Sequence, residues 1–319
     1  VRNLVLWFQI ILFAGGSVHA GNEALLREIL DKARSAESDS LLIFEKGEII
    51  YQDYFGGQDK LRSVQSITKS VCALAIAILI DEEKIGSLDL PMSTWIPEWK
   101  TDSAKSKITL RMIMNHTSGL PDIKTVEDFW SQIDIVAAAK QVAVEAEPGS
   151  RYLYSNVATS LLEPVIAQAS DQTVSSYVNQ KIFRPLAIYD FRWSKDKVGH
   201  EVTAGGLFLK TADLLKLGKL MLQNGFYDGI RVVQPKTYAQ LIKPSQSFAS
   251  YGLLFWLDSM NSKGDAQLIS AIGWGGQYLT VYPAKNLIAI RTKSPQSIDE
   301  GRRRQQSFKE FRTLIAKWE

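Results

Sequence analysis

The sequence predicts an α+β fold: an antiparallel sheet flanked by helices, built from both chain ends, with a mostly helical region inserted between them. Three observations lead there. The stretch "SVQSITKSVCALAIAILI", Ser63 to Ile80, carries no charge after Lys69 and is apolar all round, so it belongs in an interior. Short β-rich runs cluster near the two ends of the chain. From Asp81 to about Ala239 the pattern is helical, broken by polar loops such as "NHTSGLPD" and "EAEPGSRYLYSN".

Taken in order, the chain opens with "VRNLVLWFQIILFAGGSVHA", one Arg, a mostly apolar run from Leu4 to Ala14, then glycines and small residues. That is the layout of a secretory signal, with cleavage expected after Ala20 and a periplasmic or secreted product. The run falls short of the roughly twenty apolar residues of a membrane span, so no stable span is expected after cleavage; an uncleaved interfacial anchor is the competing reading. A short helix follows near Ala24–Ser35. "SLLIFEKGEIIYQDYF" reads as a β-hairpin turning at Lys46-Gly47, and Ser63–Ile80 as the buried helix. Beyond the helical region, "SYGLLFWLD", "AQLISAI", "QYLTVYP" and "NLIAIRT" read as strands. The spacing of Phe308, Phe311, Leu314 and Ile315 closes the chain with an amphipathic helix after three solvated arginines. Residues 21–80 and 240–319 would form the sheet body, and residues 81–239 the helical part of the same domain.

Bulk properties exclude several classes. The 319 residues are 45% hydrophobic and 22% charged, close to an average soluble domain. A net charge of +3 with scattered Lys and Arg gives no electrostatic footprint for nucleic acid. With Cys72 alone there is no internal disulfide, and the chain shows neither H-E-x-x-H nor clustered ligand spacing, so no metal or cofactor is expected. Its three histidines are His19, His116 and His200, and no G-x-S-x-G elbow occurs, which leaves a Ser-His-Asp hydrolase poorly supported. His116 reads as a loop brace.

Ser66 and Lys69 are the first candidate site. On a helix, positions i and i+3 share a face, so the Ser66 hydroxyl and the Lys69 amine fall within hydrogen-bond reach. Serine is a poor nucleophile until a base takes its proton, and lysine acts as that base only if desolvation brings its pKa toward neutrality. The apolar helix supplies the desolvation. Ser194 and Lys197 repeat the S-x-x-K spacing, but in a polar stretch, and read as chance. Next, Pro148-Gly149 turns the chain and delivers Tyr154-Ser155-Asn156 to the start of a helical pattern. The Tyr154 hydroxyl would relay the serine proton, and Asn156 would hydrogen-bond a substrate amide. Tyr177 and Asn179 repeat Y-x-N inside an amphipathic helix and read as structural.

"SITK", "YSN", "NHTSGLPD" and "TAGGLFLKTADLLKLGKLMLQNG" together resemble the serine β-lactamase-like superfamily, and within it the class C-type branch with its penicillin-binding proteins, esterases and amide hydrolases. The resemblance runs from about Leu41 to Ile290. It implies a β-lactamase/transpeptidase-like fold, an acyl-enzyme on Ser66, proton transfer shared by Lys69 and Tyr154, and a substrate contact at Asn156. The family's third motif departs here: "SAIGWGGQYLTVYP" has no Lys or His just ahead of Gly273, which counts against holding a β-lactam carboxylate. Its "GWGGQ" form resembles the branch with 6-aminohexanoate-dimer hydrolases and related esterases. Trp274, Gly275, Gly276 and Gln277 are accordingly expected at the substrate, with a backbone N–H of the Gly275–Gln277 region joining that of Ser66 in an oxyanion hole. Trp130 is a further candidate for the cleft wall. The expectation is an exported serine hydrolase acting on a small-molecule or peptide-like ester or amide. Its alternatives are a D-alanyl-D-alanine carboxypeptidase or β-lactamase and, from another class, a non-catalytic cell-envelope binding protein.

Overall fold

A computed structural model describes residues 20–122, 129–294 and 308–319. The proposed signal segment before Ala20 and the arginine run at 302–304 lie outside the described residues.

In chain order, helix α1 (Ala20–Ser35) leads into the hairpin β1 (Ser40–Glu45) and β2 (Glu48–Asp53), then β3 (Arg62–Ser63) and helix α2 (Ile67–Asp81). The middle of the chain holds α3 (Leu110–Met114), α4 (Ile135–Gln141), α5 (Asn156–Ser160), α6 (Leu162–Ser170) and α7 (Val174–Val178), then β4 (Arg192–Trp193) and β5 (Leu207–Leu209). Helix α8 (Thr211–Leu222), the hairpin β6 (Phe226–Tyr227) and β7 (Ile230–Arg231), and α9 (Pro235–Leu241) follow. The last stretch supplies β8 (Trp256–Met260), β9 (Ala266–Gly273), β10 (Gln277–Tyr282) and β11 (Leu287–Thr292), then α10 (Phe311–Ile315).

The main sheet has six strands in the order β2-β1-β11-β10-β9-β8, each neighbouring pair antiparallel. Pairing of β1 with β11 in the register Leu42↔Ile290 joins the two chain ends. Alternation along the strands then assigns the faces. Leu41 and Ile43 point into one core, with Ile29 of α1 and Phe311 and Ile315 of α10. Leu42 and Phe44 point into the other, with α2 and with Leu214 and Leu217 of α8. Helix α2 is buried on every side from Ile67 to Leu79, as its apolar run after Ser70 requires. The fold is the expected antiparallel sheet flanked by helices.

Local departures have local causes. Helix α2 starts at Ile67 rather than Ser63, because Ser63 pairs with Phe208 in a small β3-β5-β4 sheet and Gln65 turns through a left-handed φ of 52°. Helix α1 starts at Ala20, four residues earlier than expected. The middle region is not helical throughout: it contributes β4, β5 and the β6–β7 hairpin. In "SYGLLFWLD" only Trp256 onward is strand, since Leu253 and Leu254 donate their N–H groups to Leu241 and Met114 instead of a ladder. No described helix is long and apolar enough to cross a membrane.

Candidate active site

Three segments bring the candidate residues together. The first is the sharp entry into α2. Gln65, held left-handed, hands the chain to Ser66 at the helix N-cap position. A serine there ordinarily accepts an N–H from its own helix, but Ser66 makes no such cap bond. Its Oγ instead accepts from Lys69 Nζ at 2.9 Å.

Lys69 is 1% exposed. Its amine also donates to Asn156 Oδ1 at 2.8 Å and to the Ala204 carbonyl. An ammonium has three N–H donors, and here each has an oxygen. Unprotonated, the same nitrogen would keep two donors for Asn156 and Ala204 and offer its lone pair to the Ser66 O–H. The site therefore accommodates both protonation states without moving.

The second and third segments are the loops "NHTSGLPD" and "EPGSRYLYSN", which zip together. Gly149 N–H donates to Thr117 O at 2.7 Å, Leu153 N–H to His116 O at 2.7 Å, and Glu145 N–H to Gly119 O at 2.9 Å. Gly149 has φ +86°, the left-handed turn that Pro148-Gly149 promised. Ser155 caps α5 through Ala158 N–H at 2.9 Å and donates to Pro121 O at 3.1 Å. Tyr154 thus arrives with its ring under Lys69 Nζ, 5.2 Å from the ring centre.

His116 holds that ring from behind. Its imidazole lies 4.3 Å from the Tyr154 ring, centre to centre, and its Nδ1 accepts the Ser155 N–H at 3.1 Å. Burial, reinforced by the Lys69 charge, holds the histidine well below its ordinary pKa, so it is neutral. It braces the loop, as its sequence setting predicts. Asp122 closes the group: Asn156 donates its backbone N–H to Asp122 Oδ1 at 2.9 Å and its side-chain Nδ2 to Oδ2 at 2.9 Å.

Ser66, Tyr154 and Asn156 line a cavity of about 710 Å³, within the usual size of a small-molecule site. Trp130, Trp256, Trp274, Tyr152 and Phe208 give the wall an aromatic character, and Ser194, Lys195, Asp196 and Gly273 at the end of β9 line it too. Of the expected substrate residues, Trp274 faces the cavity, whereas Gly275, Gly276 and Gln277 are not among the residues that line it. The Gln277 side chain is fully buried, accepting Lys293 N–H at 3.0 Å and donating to Lys293 O, so it ties the β9–β10 turn to β11. Buried Arg291 donates to the Gly276 carbonyl at 2.9 Å and holds the same turn from below. Gly273, which lines the cavity, packs against the turn that leads into Ser66. A side chain on it would meet the Val64 carbonyl and Gln65 Cβ, the latter at 2.9 Å. Asn156 lines the cavity, but its amide spans Lys69 and Asp122.

Both sequence controls behave as decoys. Ser194 lies beyond the end of β4, off any helix, and no hydrogen bond joins it to Lys197 among the described residues. The Tyr177 hydroxyl donates to Glu82 at 3.1 Å, in the core. Asp134, Asp196 and His200 have ligand atoms within 4.8 Å of one another. Asp196 already accepts four backbone N–H groups, from Ile135, Val198, Gly199 and His200, so the group works as a loop clamp. Sequence reasoning assigned no site role to Asp122, Trp256, Gly273 or Arg291, although each lies in a segment it singled out: "NHTSGLPD", "SYGLLFWLD", "SAIGWGGQYLTVYP" and "NLIAIRT".

A six-stranded sheet over a buried lysine helix, with Ser66 opening into a cleft, defines a β-lactamase/transpeptidase-like protein. The chain belongs to the beta-lactamase family, whose sequence profile matches residues 23–305. Among curated relatives, protein Rv1367c of Mycobacterium tuberculosis is 22% identical over 306 residues, covering 74% of this chain and 76% of that protein. Penicillin-binding protein 4* of Bacillus subtilis is 27% identical over 187 residues, 50% of this chain but 40% of the relative. A candidate 6-aminohexanoate-dimer hydrolase from Bacillus anthracis shares the fold at a TM-score of 0.74 and 18% identity, over 92% of this chain and 82% of that one.

Proposed function

We propose that the protein is an exported serine hydrolase that cleaves a neutral ester or amide through an acyl-enzyme on Ser66. One observation carries the reading: a fully buried lysine amine 2.9 Å from a serine hydroxyl that lines an aromatic-walled cavity. Ser66 Oγ attacks the substrate carbonyl carbon while its proton passes to unprotonated Lys69. The oxyanion accepts N–H groups from Ser66 and from the β9 end at Gly273, which replaces the expected Gly275–Gln277 donors. As the tetrahedral adduct collapses, Lys69 returns the proton through the Tyr154 hydroxyl to the leaving oxygen or nitrogen. Water then enters by the reverse path, giving its proton to the same pair and releasing the acid. The chemistry needs no metal or cofactor.

The wall supports the substrate's neutrality. Lys69 spends its donors on Ser66, Asn156 and Ala204, and Lys195 at the rim pairs with Glu201 at 3.6 Å. The likeness to a penicillin-binding protein supports a second reading, D-alanyl-D-alanine carboxypeptidase or β-lactamase, but those substrates present a carboxylate that this cavity is poorly equipped to pair. A non-catalytic binding protein has no use for a lysine held dry beside a serine.

The test is covalent labelling with a fluorophosphonate probe, alongside turnover of p-nitrophenyl esters and nitrocefin. Wild type labels, Ser66→Ala does not, and ester turnover far exceeds nitrocefin turnover. Equal labelling of the two proteins would end the hydrolase reading.

A further inference from the structure

We propose that Asp122 is the positioning acid of the Ser66–Lys69 pair, acting through the side-chain amide of Asn156. This rests on Ser66 being the nucleophile. The linkage is continuous: Asp122 Oδ2 to Asn156 Nδ2 at 2.9 Å, Asn156 Oδ1 to Lys69 Nζ at 2.8 Å, Lys69 Nζ to Ser66 Oγ at 2.9 Å.

An amide has a donor end and an acceptor end, and only one orientation serves Lys69. Flipped, Asn156 would set its NH₂ against the lysine N–H groups. Asp122 forbids the flip, because an ionised carboxylate only accepts and so selects the NH₂ end. Its other oxygen takes the Asn156 backbone N–H, so one carboxylate holds both the main chain and the side chain of that residue.

Ser155 caps α5 at the Ala158 N–H and Asp122 takes the N–H groups of Asn156 and Val157, but neither of these backbone roles requires the Asn156 side-chain amide, which Asp122 also holds. The carboxylate is also held at a cost. Burial raises its pKa above the ordinary carboxylate range, against the Asn156 N–H and the Lys69 charge that lower it. The helix end accounts for the backbone bonds of this partly buried carboxylate, and not for its grip on the Asn156 side-chain amide. Setting the amide that aims Lys69 is the task its contacts show.

The experiment measures the rate of fluorophosphonate labelling of the full chain from pH 5 to pH 9 for wild type, Asp122→Asn and Asp122→Glu. Circular dichroism confirms that each is folded. Asp122→Asn should lower the plateau rate about 10- to 100-fold, the loss of one charge-assisted hydrogen bond. Removing the nearby negative charge also eases proton loss from the Ser66–Lys69–Tyr154 group. The acid limb should therefore move to lower pH, by about one unit. Asp122→Glu, keeping the charge, should recover part of the rate and the wild-type limb. A slower plateau with an unmoved limb and no recovery by Asp122→Glu would mark a merely structural residue and overturn the inference, as would a wild-type profile for Asp122→Asn. If Asp122→Asn does not fold, Asp122→Glu decides: an intermediate plateau supports the inference and a wild-type profile overturns it. A wild type that does not label at all overturns the nucleophile reading first, and this inference with it.

Discussion

The imidazole of His116 lies against the ring of Tyr154, with centres 4.3 Å apart and planes inclined by 31°, and Nδ1 takes the N–H of the residue after the tyrosine. One neutral side chain thus fixes both the ring and the backbone that carry the candidate phenol. His116 itself sits at φ 55°, a conformation asparagine tolerates better than most residues.

That burial has a pH signature. The unfolded imidazole takes a proton near its ordinary pKa of about 6.5, while the folded one resists far below it. The unfolded state therefore binds more protons as pH falls. Stability from this group is complete above about pH 6.5 and declines below it, by up to about 1.4 kcal/mol per pH unit. Urea unfolding midpoints between pH 5 and pH 8 should show the decline in wild type. His116→Asn keeps an acceptor for the Ser155 N–H and should flatten it; identical slopes would show that another group governs acid sensitivity.

Tyr154→Phe removes the proposed proton relay and leaves the ring stack. Its effect should fall on kcat, about 100- to 10,000-fold, with KM little changed and the melting temperature preserved. Ester kinetics and a thermal scan on the same preparation check both halves. A large KM change with unaltered kcat would make the tyrosine a substrate contact only.

Gly273→Ala tests where the oxyanion donor lies. The added methyl has no room against the Val64 carbonyl, so β9 must withdraw from the Val64–Gln65 turn that leads into Ser66. Ester turnover should drop about 100- to 1,000-fold, the usual value of one oxyanion donor. Substitution at Gly276, where a side chain would strike buried Arg291, should chiefly cost stability. The comparison of kcat with melting temperature for the two variants separates the roles; equal damage to both would place the donor in the turn after all.

Trp130→Ala should raise KM about tenfold for aryl esters and much less for acetate esters, reflecting about 1.4 kcal/mol of lost aromatic contact. Trp130 forms cavity wall and holds none of the atoms around Ser66, so kcat for small esters should stay close to wild type. Equal loss across the ester series would mean that it shapes the fold rather than the substrate.

Periodicity and local chemistry were enough to place much of this protein in advance. The buried character of Ile67 to Leu79, the hairpin at Lys46-Gly47 and the four C-terminal strands follow from apolar spacing and turn residues, because those properties act over a few neighbouring positions. The Ser66–Lys69 contact was legible for the same reason, as an i, i+3 pair on one helix. Segment ends were less so: Ser63 looks helical by composition and pairs as strand only because Phe208, distant in sequence, lies beside it.

What tertiary structure alone decided is how the loops are aimed. Asn156 reads by motif as a substrate contact; it does line the cavity, and packing adds Asp122 and Lys69 as partners at the two ends of its amide. Gln277 reads as part of a glycine-rich substrate turn, yet it is buried against β11, and Gly273 is the glycine that lines the cavity next to Val64 and Gln65. Which oxygen meets which N–H depends on segments brought together from separate parts of the chain. Local patterning along the chain set the buried helix that follows Ser66 and the strands of the sheet around it. Packing between distant segments decided which polar groups face the cavity, since a hydrogen bond is specified by geometry over about 3 Å and not by residue type.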